Sequence, residues 1–436
     1  MTKDPSQRLR IALISEHASP LALAGGVDSG GQNIYVNHVG RELARAGHQV
    51  DVFTRRDDAS LPPVVHTRPG MRVIHVPAGP PRFVPKEKLL PYMADFSRHT
   101  EAVARASGGY DVAHANFFMS GLVAMRLRRA LGVPFVITLH ALGLVRRQHQ
   151  GSEDGFPDDR IAIERELVRC ADRVIAECPQ DRADLVTLYG GDPARLTTVP
   201  CGYDPEEFGA GDRRHARAAL GLAADEFVVL QLGRIVPRKG IDNVIRCLAP
   251  LVREHGVNAR LVVVGGEADT PCEIATPEIG RLRQVAESLG IRDRVTFTGR
   301  RRRHELRSYY NAADAFVTTP WYEPFGITPL ESMACGTPVV GANVGGIKFS
   351  IVDRVTGFLV PPNDPGELAD RLAVLAANPA LARAMGRAGM HRARSMFTWE
   401  RVSQHLARVY AEVARTRSPR PLPTTRRPVL LTEART

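Results

Sequence analysis

Hydrophobic positions fall along the chain in two alternating rhythms. Short β-rich runs at residues 9–14, 49–54, 72–76, 111–114, 134–138 and 173–176 read as strands. Helical spacing fills the gaps. Val36, Val39, Leu43 and Ala46 mark one face of the first helix, and Gly47 reads as the residue just past its end. A polar stretch at 209–214 reads as a hinge or linker, and the rhythm then restarts. New strands are expected at 227–232, 260–264, 295–298, 315–319 and 338–341, several of them closed by a glycine, as at Gly233, Gly265 and Gly299. Strands alternating with helices predict a parallel sheet wrapped by helices, here twice over. The expected fold class is therefore α/β with two Rossmann-like domains, residues 1–205 and 206–396. An amphipathic helix at 397–414 follows, carrying Val402, Leu406, Val409, Tyr410 and Val413. No repeat of 20–50 residues is present, which excludes a solenoid.

Composition agrees with two globular domains. The chain has 436 residues, 44% hydrophobic and 24% charged, beyond the size at which single cores stop growing. The net charge of +11 suggests an anionic partner, but much of it lies in the last segment. Residues 415–436 hold Arg415, Arg417, Arg420, Arg426, Arg427 and Arg435 against Glu433 alone, and read as a disordered basic tail. The charge therefore argues only weakly for nucleic acid. Six scattered cysteines with no zinc spacing suit a reducing cytosol. No apolar run approaches the ~20 residues of a membrane helix. A cytoplasmic protein is expected.

Several chemistries are missing from the sequence. It has no G-x-x-x-x-G-K-[ST], no G-x-G-x-x-G after the first strand, no H-E-x-x-H and no G-x-S-x-G. No Asp-x-Asp pair offers a handle for a divalent metal. Four segments stand out instead. The loop Gly25-Gly26-Val27-Asp28-Ser29-Gly30-Gly31-Gln32-Asn33 precedes the first helix, where glycines admit a ligand and the helix end favours an anion. An ordinary flexible loop is the competing reading. Arg234 and Lys239 flank a tight loop at a strand's C-terminal edge, where ligands of open α/β sheets sit and where two cations suit a diphosphate; solvated loop cations are the alternative. Glu323 and Glu331 bracket Pro324-Phe325-Gly326-Ile327-Thr328, beside a helix start that would cradle an anion. Two carboxylates there suit sugar hydroxyls, although Thr328-Pro329-Leu330-Glu331 also reads as a capping box with Pro at its first helical position. His140 follows a strand at the same kind of edge; a structural histidine is the competing reading.

Together these segments resemble the family 4 retaining glycosyltransferases, which have the two-domain GT-B fold. Glu323-x7-Glu331, Arg234-x4-Lys239 and the loop from Ser29 to Val36 match the family's motifs, and the similarity runs over residues 8 to 412. The resemblance implies two domains facing across a cleft, with the last helix returning to the first domain. It implies a nucleoside-diphosphate sugar as donor, with uridine favoured and guanosine second, and neither a metal nor a cofactor. It gives Arg234 and Lys239 the diphosphate, Glu323 the sugar hydroxyls, and His140 the sugar near its reacting carbon. Glu331 would take the ribose and Arg300 would lie beside the base. Gly31, Phe325, Gly326, Ile327 and Thr328 would complete the donor site. Within the family the nearest look is to the branch of inositol-phosphate N-acetylglucosaminyltransferases and sucrose-phosphate synthases. In the inositol-phosphate enzymes, positions matching Lys86, Thr138 and Arg160 hold the acceptor phosphate, with Asn33 beside them. Phe117 replaces a tyrosine of that set, and Lys348 stands where many relatives carry an acid. The implied acceptor is small and polar, a sugar or cyclitol phosphate. A GDP-mannose-type transferase acting on a lipid-linked or glycan acceptor remains open, as does a nucleic-acid-binding protein using its basic patches. A homodimer is allowed.

Overall fold

The computed structural model describes residues 8–22 and 30–416. The glycine loop at 25–29 and the tail beyond Thr416 lie outside the described residues. The first rhythm becomes strands β1 (Arg10–Ile14), β2 (Gln49–Arg55), β3 (Val64–Arg68), β4 (Met71–Val76), β5 (Val112–Asn116), β6 (Phe135–Thr138), β7 (Arg173–Ala176) and β8 (Leu196–Thr198). They form one sheet in the order β3-β4-β2-β1-β5-β6-β7-β8. β1 lies inside it, with Ile11 opposite Val50 on one side and Val112 on the other, both in parallel register. β1, β5 and β6 are buried almost along their whole length because helices cover both faces.

The second rhythm becomes β9 (Phe227–Leu232), β10 (Ala259–Val264), β11 (Val295–Gly299), β12 (Ala315–Thr318), β13 (Val339–Ala342) and β14 (Gly357–Val360), all parallel, in the order β11-β10-β9-β12-β13-β14. Two doubly wound α/β units, the fold class expected, are thus present.

The helix Trp399–Arg415 packs on the helix Gly31–Arg45 and against β5 and β6, so the end of the described chain lies on the first sheet. Its buried face is Trp399, Val402, Leu406, Val409, Tyr410 and Val413. The Thr398 hydroxyl caps it by accepting from the Arg401 N–H. The chain therefore crosses between sheets twice, and the two crossings touch. Tyr203 N donates to Phe397 O at 2.8 Å, and Trp399 N to Tyr203 O at 3.1 Å.

Several local expectations change. Three strands are additional: β3, an exposed antiparallel edge, the three-residue β8, and β14. The linker reading of 209–214 is cut short, because the helix Arg213–Leu220 begins inside it, capped by the Asp212 carboxylate. The last helix runs on through Arg415, where the tail was expected to begin. Gly47 does follow its helix, at φ 93°. Among the described residues no helix is long and apolar enough to cross a membrane.

Candidate active site

The C-terminal edges of the two sheets face each other. A Cβ placed on Gly31 would lie 3.6 Å from the Ile327 side chain of the opposite domain. The Cys178 thiol lies 3.4 Å from the Pro324 carbonyl, and the His149 ring stacks on Tyr322 with centroids 4.9 Å apart. Lys348 reaches across to the Gln180 amide oxygen at 2.8 Å. A cavity of about 290 Å³ lies between the domains here, with Glu323 and Lys348 in its wall.

On the second-domain side, β9 ends at Leu232 and the chain turns through Arg234 to Lys239. Gly240, at φ 64°, lets this turn pack on the exit of β12. A Cβ there would fall 2.0 Å from Thr319 O. That approach delivers the Lys239 ammonium to the Glu323 carboxylate, and the two form an ion pair. Burial pushes the Glu323 carboxyl up, but Lys239, Arg238 and Arg234 outweigh it and hold it below the usual carboxylate range. Burial lowers the Lys239 ammonium, with Glu323 opposing and Arg238 and Arg234 adding to the effect. Arg234 is therefore close enough to act on both charges. Gly345 and Gly346 support Glu323 from behind, with Gly346 N donating to Glu323 O at 3.1 Å.

The helix after this turn corrects the capping-box reading. It is Ile327–Ala334, with Gly326 at its N-cap at φ 92°, so Pro329 is its third residue, not its first, and Thr328 caps nothing. Glu331 turns inward instead of back to the helix start. It is 2% exposed, and its carboxylate accepts from Arg303 Nη1 at 2.9 Å and Tyr310 Oη at 2.9 Å. Phe325 is buried, while Gly326 and Thr328 are half-buried at the helix end. Arg300 spends its guanidinium on Asp269, at 3.1 and 3.2 Å. Arg301 bonds Tyr309 and two backbone carbonyls. The run from Arg300 to Arg303 is thus largely consumed by internal partners and makes no free basic patch.

On the first-domain side two side-chain-bearing residues hold positive φ, Phe117 at 89° after β5 and His140 at 57° after β6. Such angles cost on the order of 1–3 kcal/mol each and persist only where the surroundings enforce them. His140 is enforced by its ring bonds. Nδ1 lies 2.9 Å from Glu177 Oε1 and Nε2 3.0 Å from Asn116 Oδ1, and Tyr35 meets the ring edge-on at 4.8 Å. The Asn116 amide nitrogen faces the Ile14 and His114 carbonyls at 3.3 and 3.4 Å, which turns its oxygen toward His140. Both imidazole nitrogens are thus held by side-chain partners, which fixes the ring's orientation. Sequence reasoning missed Glu177 and Asn116. Each stands at the C-terminal edge of its strand, one in β7's first following position and one ending β5, as His140 follows β6.

The four residues expected at the acceptor differ in access. Asn33 is 6% exposed and caps its own helix, accepting from Gly30 N at 2.9 Å and donating to Ser19 O at 3.0 Å. Thr138 is fully buried, its hydroxyl 2.8 Å from His114 Nε2. Arg160 is 1% exposed, paired with Glu164 at 2.7 Å and enclosed by the rings of Phe117, Phe118 and Phe156 at 4.4–5.2 Å. Its Nη1 has no hydrogen-bond partner. Lys86 is half-buried, its ammonium 3.8 Å from Glu87. The structure does not bring these four together on one open surface.

Two α/β domains thus face each other, with cations and carboxylates gathered where their strand ends meet. Residues 29–207 match the family described as Glycosyltransferase Family 4, and residues 212–392 match Glycosyl transferases group 1. The chain is 41% identical to D-inositol 3-phosphate glycosyltransferase 1 of Catenulispora acidiphila over 405 residues, covering 92% of this chain and 95% of that one. It is 39% identical to D-inositol 3-phosphate glycosyltransferase of Actinosynnema mirum over 413 residues, 92% of this chain and 97% of the other. The solved sucrose-phosphate synthase of Thermosynechococcus elongatus superposes with a TM-score of 0.85 at 36% identity, over 93% of this chain and 99% of its own. The chain belongs to the family 4 glycosyltransferases.

Proposed function

We propose that this glycosyltransferase moves a sugar from a nucleoside-diphosphate sugar, with UDP favoured, to a small phosphorylated polyhydroxy acceptor, with retention at the anomeric carbon and without a divalent ion. The observation that carries the donor half is the convergence of Arg234, Lys239 and Glu323 beside the N-terminus of the helix Ile327–Ala334. Departure of the diphosphate leaves negative charge, and two cations with unsatisfied helix N–H groups neutralise it in place. Glu323, freed from Lys239 as the diphosphate arrives, takes sugar hydroxyls. Glu331 takes the ribose. His140 faces this site from the other domain; a direct bond from it to the sugar requires exchange of Asn116.

Kinship supports the phosphorylated acceptor, since relatives at 36–41% identity carry names built on inositol phosphate and sucrose phosphate. Lys86 and the spare Arg160 N–H are the groups that would grip the phosphate, whereas Phe117 offers no hydroxyl. Thermal shift with UDP, GDP and ADP tests the donor, and UDP is expected to raise the melting temperature most. Failure of all three removes the donor assignment. Nucleoside-diphosphate release with myo-inositol phosphates beside myo-inositol tests the acceptor, and equal rates on both remove the phosphate.

A further inference from the structure

A chain of polar and charged side chains runs from the first domain, through the crossing segment, to Glu331. His38 and Arg41 project from the helix Gly31–Arg45, and His38 stacks flat on Trp399 at 5.3 Å. His38 Nδ1 and Arg41 Nη2 each lie 3.6 Å from Asp204 Oδ2, and His38 Nε2 lies 3.9 Å from Glu207 Oε2. Glu207 pairs with Arg303 Nε, and Arg303 Nη1 reaches Glu331 at 2.9 Å. The Phe208 ring covers the guanidinium at 4.9 Å. His38, Asp204 and Glu207 are near enough to share a metal ion. Arg41 and Arg303 already supply the countercharge to both carboxylates, so the trio is better read as part of the chain than as a cation site.

We infer that Arg303 is a positioning residue for the donor's ribose, fixing the Glu331 carboxylate opposite Tyr310, and that Glu207 on the crossing segment fixes Arg303 in turn. This rests on the reading that Glu331 takes the ribose hydroxyls. Each Glu331 oxygen receives one donor, from Arg303 or from Tyr310, which leaves each a lone pair for a hydroxyl. The planar guanidinium holds two carboxylates in fixed directions, which a lysine ammonium does not. Two carboxylates against one guanidinium leave this cluster net negative. It therefore accepts hydroxyl donors and turns a diphosphate away, toward Arg234 and Lys239. A carboxylate locked in this way need not be ordered when the nucleotide binds.

The test compares binding of UDP, GDP and ADP with that of their 2′,3′-dideoxy counterparts, in wild type, Arg303→Gln and the double variant Arg303→Met/Glu207→Met. The double variant removes the Glu207 charge together with Arg303, leaving one buried carboxylate, Glu331, still held by Tyr310 instead of two, so it covers the case in which Arg303→Gln does not fold. Wild type is expected to prefer the hydroxylated form of its nucleotide by about tenfold or more, as a charge-assisted hydrogen bond supplies. Both variants are expected to lose most of that preference while binding the dideoxy form as wild type does. A wild-type preference kept intact in the folded variants overturns the inference, as does equal weakening of both forms, which marks a merely structural role. No preference in wild type takes the ribose from Glu331 and removes the reading beneath it.

Discussion

Arg234 and Lys239 show how much one residue's charge can decide. Glu323 is held below its usual range by Lys239, Arg238 and Arg234, of which Lys239 and Arg234 are the cations we propose for the leaving diphosphate. Arg234→Ala is accordingly expected to lower kcat by about 10²–10³, the size associated with losing one preorganised charge-stabilising donor. Steady-state kinetics with the preferred nucleotide sugar measures it, and an unchanged kcat refutes it. These residues were legible in the sequence because their spacing is local: Arg234 and Lys239 share one turn, and Glu323 stands just before the helix that carries Glu331. Their supporting partners were not. Tyr310 and Arg303 precede Glu331 by 21 and 28 positions and meet it only because their helix, Arg303–Ala312, packs on the helix Ile327–Ala334 and against β9. The capping box failed for a related reason. Thr328 and Glu331 have the right spacing, but Gly326 already turns the chain one residue before Ile327, and Glu331 gains two donors by facing inward.

At the scale of elements, the strands that read well are those buried on both faces, where hydrophobic side chains run unbroken. β3 alternates toward solvent at the sheet's edge and pairs antiparallel, so its sequence carries too few apolar residues to show. β8 has only three residues. The loops after β12 and β13 are a different matter, because they are fitted backbone to backbone. A Cβ on Gly345, at φ 43°, would lie 1.9 Å from Glu323 O. Gly345→Ala is expected to lose about 1–3 kcal/mol of stability to overpacking and backbone strain. Because it displaces Glu323, it should also lower kcat/KM for the donor. Urea denaturation beside donor kinetics measures both, and a variant as stable and as active as wild type contradicts the fit.

Across the whole molecule, the returning helix ties the ends of the fold together through a buried histidine. His114 of β5 meets Tyr410 Oη at 2.5 Å on one ring nitrogen and Thr138 on the other. Burial, aided by His140, pushes its pKa down to about 3, so it is neutral in the fold. The unfolded chain takes up a proton below about pH 6.5, and stability then falls with pH by about 1.4 kcal/mol per unit from this group. His114→Gln is expected to flatten the slope of stability against pH by that amount between about pH 6.5 and about pH 5. Denaturation series on the two proteins measure the difference, and parallel slopes dispose of it. The two sheets and the helical face of 399–413 were legible because their periodicity is strong. The docking of that helix on the first sheet was not readable from periodicity, since an apolar stripe does not say which surface covers it.

That docking also sets an order of events during synthesis. Emergence from the ribosome follows the sequence, and domains fold as units as they appear. The second sheet, β9 to β14, is continuous in the chain and meets its own helices early. The first sheet has all its strands by Thr198, yet Tyr35, His38 and His114 stay without their cover until Trp399 and Tyr410 are made, about two hundred residues and, at 5–20 residues per second, about ten to forty seconds later. The domain translated first is therefore the one completed last. The nascent protein carries an uncovered apolar surface for nearly half its synthesis, and this is the interval in which a chaperone or a misplaced second chain competes with the last helix for the same face.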